Sequence, residues 1–361
     1  MVFDYQYGDF QKRDLVIENT SEDVCRFAAE ETDISGLYVV PGLFDFHTHV
    51  GNRGILPYDP DTFCPGTGVT EVQDCGSYGT DQIDRFAEEI AKNSGVKIHV
   101  LLHVAREGQA EPSKLEDQRP ESICEDRLQE ACRRHKDLIR GFKIRLEQPM
   151  IDDGYASDTV FKTCDFAEKL GGNRYAVMVH LGSINDMDKL QEVLSILRPG
   201  DIVTHIYQPK VSGFTDAKSG IYESLRKAQE RGVLLDTGFG SRQWSFETLR
   251  NAQAAGIVPD RISSDCNATN IILQPAVSML YAGMVLHTAG MSWQEYFGKA
   301  CIDNRSSLDA NPYKAGDFFI FKLEPANGIL TDATGEKAQI SELIIPMMTY
   351  IRNQQVYEYG E

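Results

Sequence analysis

Two histidines close the apolar run LFDFHTHV, residues 43–50, in a chain that holds only eight histidines. Residues two apart on a strand share one face, so His47 and His49 aim their imidazoles the same way. Other apolar runs also end on groups that bind metals or carry protons. His180 ends AVMVH, His205 ends DIVTH and Asp265 ends RISSD, while Lys143 sits inside GFKIRL. A single strand-end histidine is more often a packed rim residue, and a lone Asp265 would serve as a helix cap. Four imidazoles and a carboxylate at strand ends are instead the ligand inventory of a divalent-metal site.

Lys143 is flanked by Phe142 and Ile144. A buried ammonium is costly unless it is paired or neutralised. An acidic neighbour would satisfy it. So would chemistry, because a neutral amine takes up carbon dioxide to become a carbamate whose oxygens can bridge two metal ions. The remaining histidines fit the pattern less well. His99 and His103 read as structural, His135 in CRRHKD as solvated, and His287 as packed in an apolar helix.

The elements that must position these groups recur along the chain. Eight β-rich apolar runs start near residues 38, 68, 97, 138, 175, 201, 232 and 261. Amphipathic stretches such as DQIDRFAEEIAKNSG, SDTVFKTCDFAEKLGG and GIYESLRKAQERG separate them and end in glycine. Strands alternating with helices imply βαβ units and a parallel sheet. Eight units predict an α/β fold, a closed (β/α)8 TIM barrel, with the polar residues gathered at its C-terminal mouth. An open doubly wound sheet would carry a glycine-rich phosphate turn, and neither GxGxxG nor GxxxxGK[ST] occurs. Both ends break the rhythm: DLVIENT near the start, and GDFFIFKLE, SELIIPMMTYIRN and QQVYEYG near the finish. The expected division is a barrel over 41–311 and a small β-sandwich-like domain from 1–40 and 312–361.

Composition narrows the function classes. A formal net charge of −18 disfavours nucleic-acid or anionic-membrane binding. No apolar run of membrane-spanning length occurs, and the opening MVFDYQYGDFQKRD has no apolar signal core. The eight cysteines, Cys25, Cys64, Cys75, Cys124, Cys132, Cys164, Cys266 and Cys301, form no CxxC and read as reduced thiols. A cytoplasmic protein acting on a small molecule is expected, with homo-oligomerisation open.

HTH on the first strand, Lys on the fourth, His on the fifth and sixth and Asp on the eighth resemble the amidohydrolase superfamily. VVPGLFDFHTHV, GVTEVQDCGSYG, GFKIRLE, VMVHLG, THIYQ and ISSD are most similar to its amidohydrolase/deacetylase branch, which is itself dihydroorotase-like. The resemblance implies that His47, His49 and Asp265 hold the more buried of two divalent ions, with zinc favoured. It implies that His180 and His205 hold the other, that N6-carboxylated Lys143 bridges the pair, and that a hydroxide lies between them. Asp265 would then take the hydroxide proton and deliver it to the leaving group. Arg145, two beyond Lys143, is a candidate for binding a substrate carboxylate or a rim salt bridge. Tyr207 is a candidate oxyanion donor or a packed ring. Asp74, Gly76 and Ser77 follow the second strand, and Ser77 is a further candidate for substrate contact. The expected reaction is hydrolysis of an amide or ester in a small acylated, carboxylate-bearing substrate. A cyclic amide hydrolase of dihydroorotase or hydantoinase type is the alternative, ahead of a deaminase or a metal-free scaffold.

Overall fold

Apolar runs and amphipathic stretches alternate because strands in a parallel sheet must be covered on both faces. The computed structural model describes residues 1–15, 33–110, 116–152, 154–182, 184, 186–210, 213–216, 218–273, 275–305 and 316–360. The N-terminal strands are β1 (Val2–Asp4), β2 (Asp9–Gln11) and β3 (Tyr38–Pro41). The barrel strands are β4 (Leu43–Thr48), β5 (Val69–Cys75), β6 (Lys97–His103), β7 (Ile139–Leu146), β8 (Ala176–Leu181), β9 (Ile202–Thr204) and β10 (Leu234–Asp236). These seven pair in sequence order, every ladder parallel.

The eighth run closes the ring without a continuous ladder. Residues 261–266 lie between β10 and β4 and touch them through single bridges, Asp236 to Arg261 and Thr48 to Cys266. Asp265 N donates to His47 O at 2.8 Å, and His49 N donates to Cys266 O at 2.9 Å. Between these bonds the Asp45 carboxylate stands in for main chain, accepting from Ser264 N at 3.0 Å and from Ser264 Oγ. The architecture is the (β/α)8 barrel that the alternation predicts.

The intervening helices follow from apolar spacing. The helix Ala156–Gly171 buries Val160, Cys164 and Ala167 on one face and stops at Gly172. Glu125–Arg134, Met187–Ile196, Ile221–Glu230 and Phe246–Ala254 repeat the design, the last opened by a Ser245–Thr248 capping box. DQIDRFAEEIAKNSG differs from the plain α-helix expected, since one α turn, Ile83–Phe86, widens into a π-helix over Ala87–Ala91.

Two features of β4 decide what enters the barrel. First, LYVVPGLFDFHTHV is not one strand. It divides at Pro41–Gly42, so that β3 belongs to a second sheet and β4 to the barrel. Second, the β4–β5 register shifts between Asp45 and Thr48. Phe44 and Phe46 therefore pack inside the barrel with Cys75, Leu101, Met178 and Ile202. The shift changes the parity of the strand, and His47 and His49 also turn inward, above that apolar floor.

The second sheet runs β13-β12-β11-β3-β1-β2, with β11 (Phe318–Thr331), β12 (Lys337–Ile351) and β13 (Gln354–Glu358) from the C-terminal segment. Its pairs are antiparallel except β1 with β3. Phe321 stacks on Phe297 at 4.8 Å and on Tyr38 at 5.4 Å, which ties this sheet to the barrel's last helical segment. From residue 16 on, DLVIENT lies outside the described residues, as do Cys25 and the expected boundary near 311. The other seven cysteines form no disulfide with one another. No described helix is long and apolar enough to cross a membrane.

Asn304 staples the closed ring from below. Its Nδ2 donates to Phe44 O at 2.7 Å and to Ile262 O at 2.8 Å, and its Oδ1 accepts from Ile262 N at 3.2 Å. Asn304→Ala leaves these buried groups unpaired and is expected to lower stability by about 3 kcal/mol. Urea denaturation followed by circular dichroism reads this, and a loss under about 1 kcal/mol would mean that water replaces the amide.

Candidate metal centre

Strand ends bring six of the predicted groups into one buried cluster. His47 and His205 are fully buried, and His49, Lys143, His180 and Asp265 are at most 8% exposed. One nitrogen each from His47 and His49 and one Asp265 oxygen lie within 4.8 Å of one another. His49 Nε2 stands 3.3 Å from Asp265 Oδ1, and His47 Nε2 stands 3.6 Å from the same oxygen. Lys143 Nζ approaches His47 Nε2 at 3.1 Å, with Met178 Sδ at 3.3 Å on its other side. His180 Nδ1 faces His205 Nε2 at 3.0 Å.

Main-chain geometry at two of these residues is unusual. His205 has φ 68° and Asp265 has φ 50°, both in the left-handed region. Each ends its run by turning the chain sharply, which throws the side chain across the mouth. Gly238 supplies the space beside His205: a Cβ there would stand 2.4 Å from Thr204 Oγ1 and 2.6 Å from His205 Nδ1.

Outer partners orient the rings. His205 Nδ1 donates to Gly238 O at 2.6 Å, which leaves the Nε2 lone pair for the cluster. His49 Nδ1 meets Ser77 Oγ at 2.9 Å. His47 Nδ1 meets Thr204 Oγ1 at 2.9 Å, and Thr204 Oγ1 donates to Asp236 Oδ2 at 2.6 Å. Asp236 also accepts from Ser263 Oγ at 2.8 Å, is fully buried, and has an Oδ1 with no hydrogen bond. A carboxylate behind a hydroxyl behind an imidazole fixes the ring tautomer and its direction, as around a metal-ligating histidine. Burial pushes the Asp236 carboxyl up to about 6.

Electrostatics favour uncharged ligands. Burial, then Lys143, holds the His47 imidazole well below its ordinary value, and burial, then His205, does the same for His180. Burial lowers His205 to about 4 and lowers the Lys143 amine. Among the described residues no carboxylate lies within ion-pair distance of Lys143 Nζ. Neutral imidazoles with lone pairs converging on a carboxylate fit a divalent cation, and His47, His49 and Asp265 are the residues that would hold one.

The other predicted groups have different surroundings. Ser77 is fully buried against His49. Asp74 lies behind it, accepting from Val50 N at 3.0 Å and Ser77 N at 2.9 Å. Arg145 reaches the level of His180 in the ladder, but its Nη1 donates to Glu116 Oε1 at 2.6 Å and its Nε to Glu147 Oε2 at 3.0 Å. Tyr207 lies in the apolar core, its ring 6.0 Å from Phe239. The turn at His205 breaks the period of two that would have put both side chains on one face. His99 is held by Glu71 at 2.6 Å, His135 by Asp84 at 2.6 Å, and His287 stacks on Trp293 at 4.2 Å. Sequence reasoning passed over Thr204 and Asp236, although Asp236 ends the seventh run GVLLD just as Asp265 ends the eighth.

No family model matches the chain. A deacetylase of Enterococcus faecalis is 26% identical over 331 residues, 88% of this chain and 86% of that protein. A deacetylase of Agrobacterium fabrum is 25% identical over 332 residues, 89% of this chain and 79% of the relative. Among solved structures, an adenine deaminase superposes with a TM-score of 0.82 at 24% identity, covering 93% of this chain and 91% of its own. A dihydroorotase does so with a TM-score of 0.79 at 24% identity, covering 89% and 88%. These structural likenesses are of fold. The chain thus shares its fold with these solved enzymes and resembles, over most of their length, curated proteins named deacetylases.

Proposed function

We propose that the chain is a metal-dependent hydrolase that cleaves an amide or ester bond of a small acylated, carboxylate-bearing substrate. The observation that carries this reading is the buried convergence of His47, His49 and Asp265 beside an amine that has no carboxylate within ion-pair distance among the described residues. Relatives named deacetylases, matched over most of their length, support the substrate class.

Two divalent ions, zinc in this reading, although the donor types also admit manganese, iron or cobalt, would be held by His47, His49 and Asp265 and by His180 and His205. When bound, such ions supply Lewis acidity and bring the ionisation of water near neutral pH. Lys143 is the proposed bridging ligand. Its Nζ bonds to the carbon of carbon dioxide and loses a proton, which converts a neutral amine into an anionic carbamate. Asp265 then has two tasks. Its carboxylate accepts the proton of the attacking water and delivers it to the departing nitrogen or oxygen. The acyl fragment leaves as a carboxylate and the remainder as an amine or alcohol. The floor of Phe44, Phe46 and Leu101 keeps bulk water from the lower side of this exchange.

Metal-loaded protein assayed on N-acetyl and O-acetyl acids alongside dihydroorotate tests the reading. Turnover of the acyl compounds is expected, and turnover of dihydroorotate alone would favour ring opening instead. Lys143→Ala is expected to lose metal and activity together, with part of the activity restored by added formate or acetate. Full activity without such rescue would remove the bridging role. Asp265→Asn is expected to cut kcat about a thousandfold in a protein that keeps its fold by circular dichroism. A loss of only a few fold would move proton transfer elsewhere. Thr204→Val removes the link from His47 to Asp236 and is expected to weaken metal affinity about 10- to 100-fold in chelator competition. Unchanged affinity would show that packing alone orients His47.

A further inference from the structure

The loop after β6 folds back over the mouth and carries a polar group that no other described residue satisfies. Its main chain is anchored firmly. Gln109 N donates to Gly76 O at 3.1 Å and to Ser77 O at 3.0 Å, and Ala110 N donates to Ser77 O at 2.8 Å. Ser77 is the residue against His49, so the loop is fastened to the wall of the cluster. The Gln109 side chain is 8% exposed, and its Nε2 is buried with no hydrogen-bond partner among the described residues. A buried amide donor left unpaired is costly.

Glycine at position 76 sets where that amide lies. A Cβ built on Gly76, whose φ is +92°, would stand 3.0 Å from Gln109 Nε2, 2.9 Å from Lys143 Cβ and 2.7 Å from Lys143 Cγ. The bare glycine thus lets the amide sit beside the Lys143 stem, on the mouth side of the strands. The nearby guanidinium offers no competing site, because Glu116 and Glu147 occupy Arg145. Behind it, His103 Nδ1 accepts from Ala105 N at 3.0 Å, and its Nε2 lies 3.2 Å from Glu116 Oε2 but out of hydrogen-bonding alignment. These groups brace the loop from β6 to β7; His103 Nε2 has Glu116 within ion-pair distance, whereas the Gln109 amide has no described acceptor.

We propose that Gln109 is a substrate-binding residue whose Nε2 donates to an oxygen that the acylated molecule carries beside its scissile bond. The assignment rests on the hydrolase reading and sharpens it: selection of the substrate's polar arm falls to a neutral amide rather than to Arg145. A carboxylate and a carboxamide both supply such an oxygen.

Three compounds separate the possibilities: N-acetylalanine, its primary amide, and N-ethylacetamide, which lacks the oxygen. The main-chain anchors survive side-chain replacement, and Gln109→Met keeps the side-chain length should Gln109→Ala disturb the loop. Either variant is expected to lose about tenfold in kcat/KM on the first two compounds, with unchanged metal content and unchanged kcat/KM on N-ethylacetamide. Gln109→Glu sorts the source of the oxygen. A loss on the acid far exceeding that on the amide marks a carboxylate, and equal losses on both mark a carbonyl. An equal loss on all three compounds would overturn the assignment and place Gln109 with Lys143 instead, as would no loss on any. Wild-type metal-loaded protein that hydrolyses none of the three would overturn the hydrolase reading and the subsite with it.

Discussion

Everything at the mouth depends on one seam, where residues 261–266 meet β4. The bonds Asp265 N to His47 O and His49 N to Cys266 O bring together side chains more than 200 positions apart in the chain. At this seam a regular ladder gives way to side-chain bonding, through Asp45 with Ser264 and Thr48 with Cys266. An uninterrupted strand would hold Asp265 in extended geometry. The seam instead lets it take a left-handed turn that swings its carboxylate toward both imidazoles. Closure of the barrel and assembly of the ligand set are therefore one event.

The cluster's electrostatic character follows from depth. Burial lowers His47, His180, His205 and the Lys143 amine alike, which favours their lone-pair forms. A set of uncharged donors around a carboxylate is a poor arrangement for a salt bridge and a good one for a cation. The outer partners divide the work by strand. Ser77 steers His49, Thr204 with Asp236 steers His47, and a carbonyl at Gly238 steers His205.

Much of this was legible in the sequence because strand ends are legible. An apolar run that stops on His or Asp declares both its length and its mouth-facing residue, and that placed His47, His49, His180, His205 and Asp265 at one level, while Lys143 stood out as a cation inside an apolar run. Where the backbone departs from a plain period, reading failed. The register shift in β4 hides why Phe46 and His47 can both face inward. The turn at His205 carries Tyr207 into the core. Arg145 sat on the right strand, but its partner Glu116 lies 29 residues earlier, in a loop with no periodicity. The division of residues 38–48 between two sheets leaves no mark beyond Pro-Gly, which a single strand would also tolerate at its edge. Gln109 belongs to the same class, being a loop residue whose importance rests on what its amide lacks.

The split of that run has a consequence for how the molecule comes into being. β3 waits for β11, and β4 waits for residues 261–266 and the Asn304 staple. During synthesis His47 and His49, at the end of β4, emerge early and stay without the Asp265 carboxylate until most of the polypeptide has left the ribosome. Long-range pairing of this kind is slow to form. The cluster of His47, His49 and Asp265 is thereby completed only late in translation.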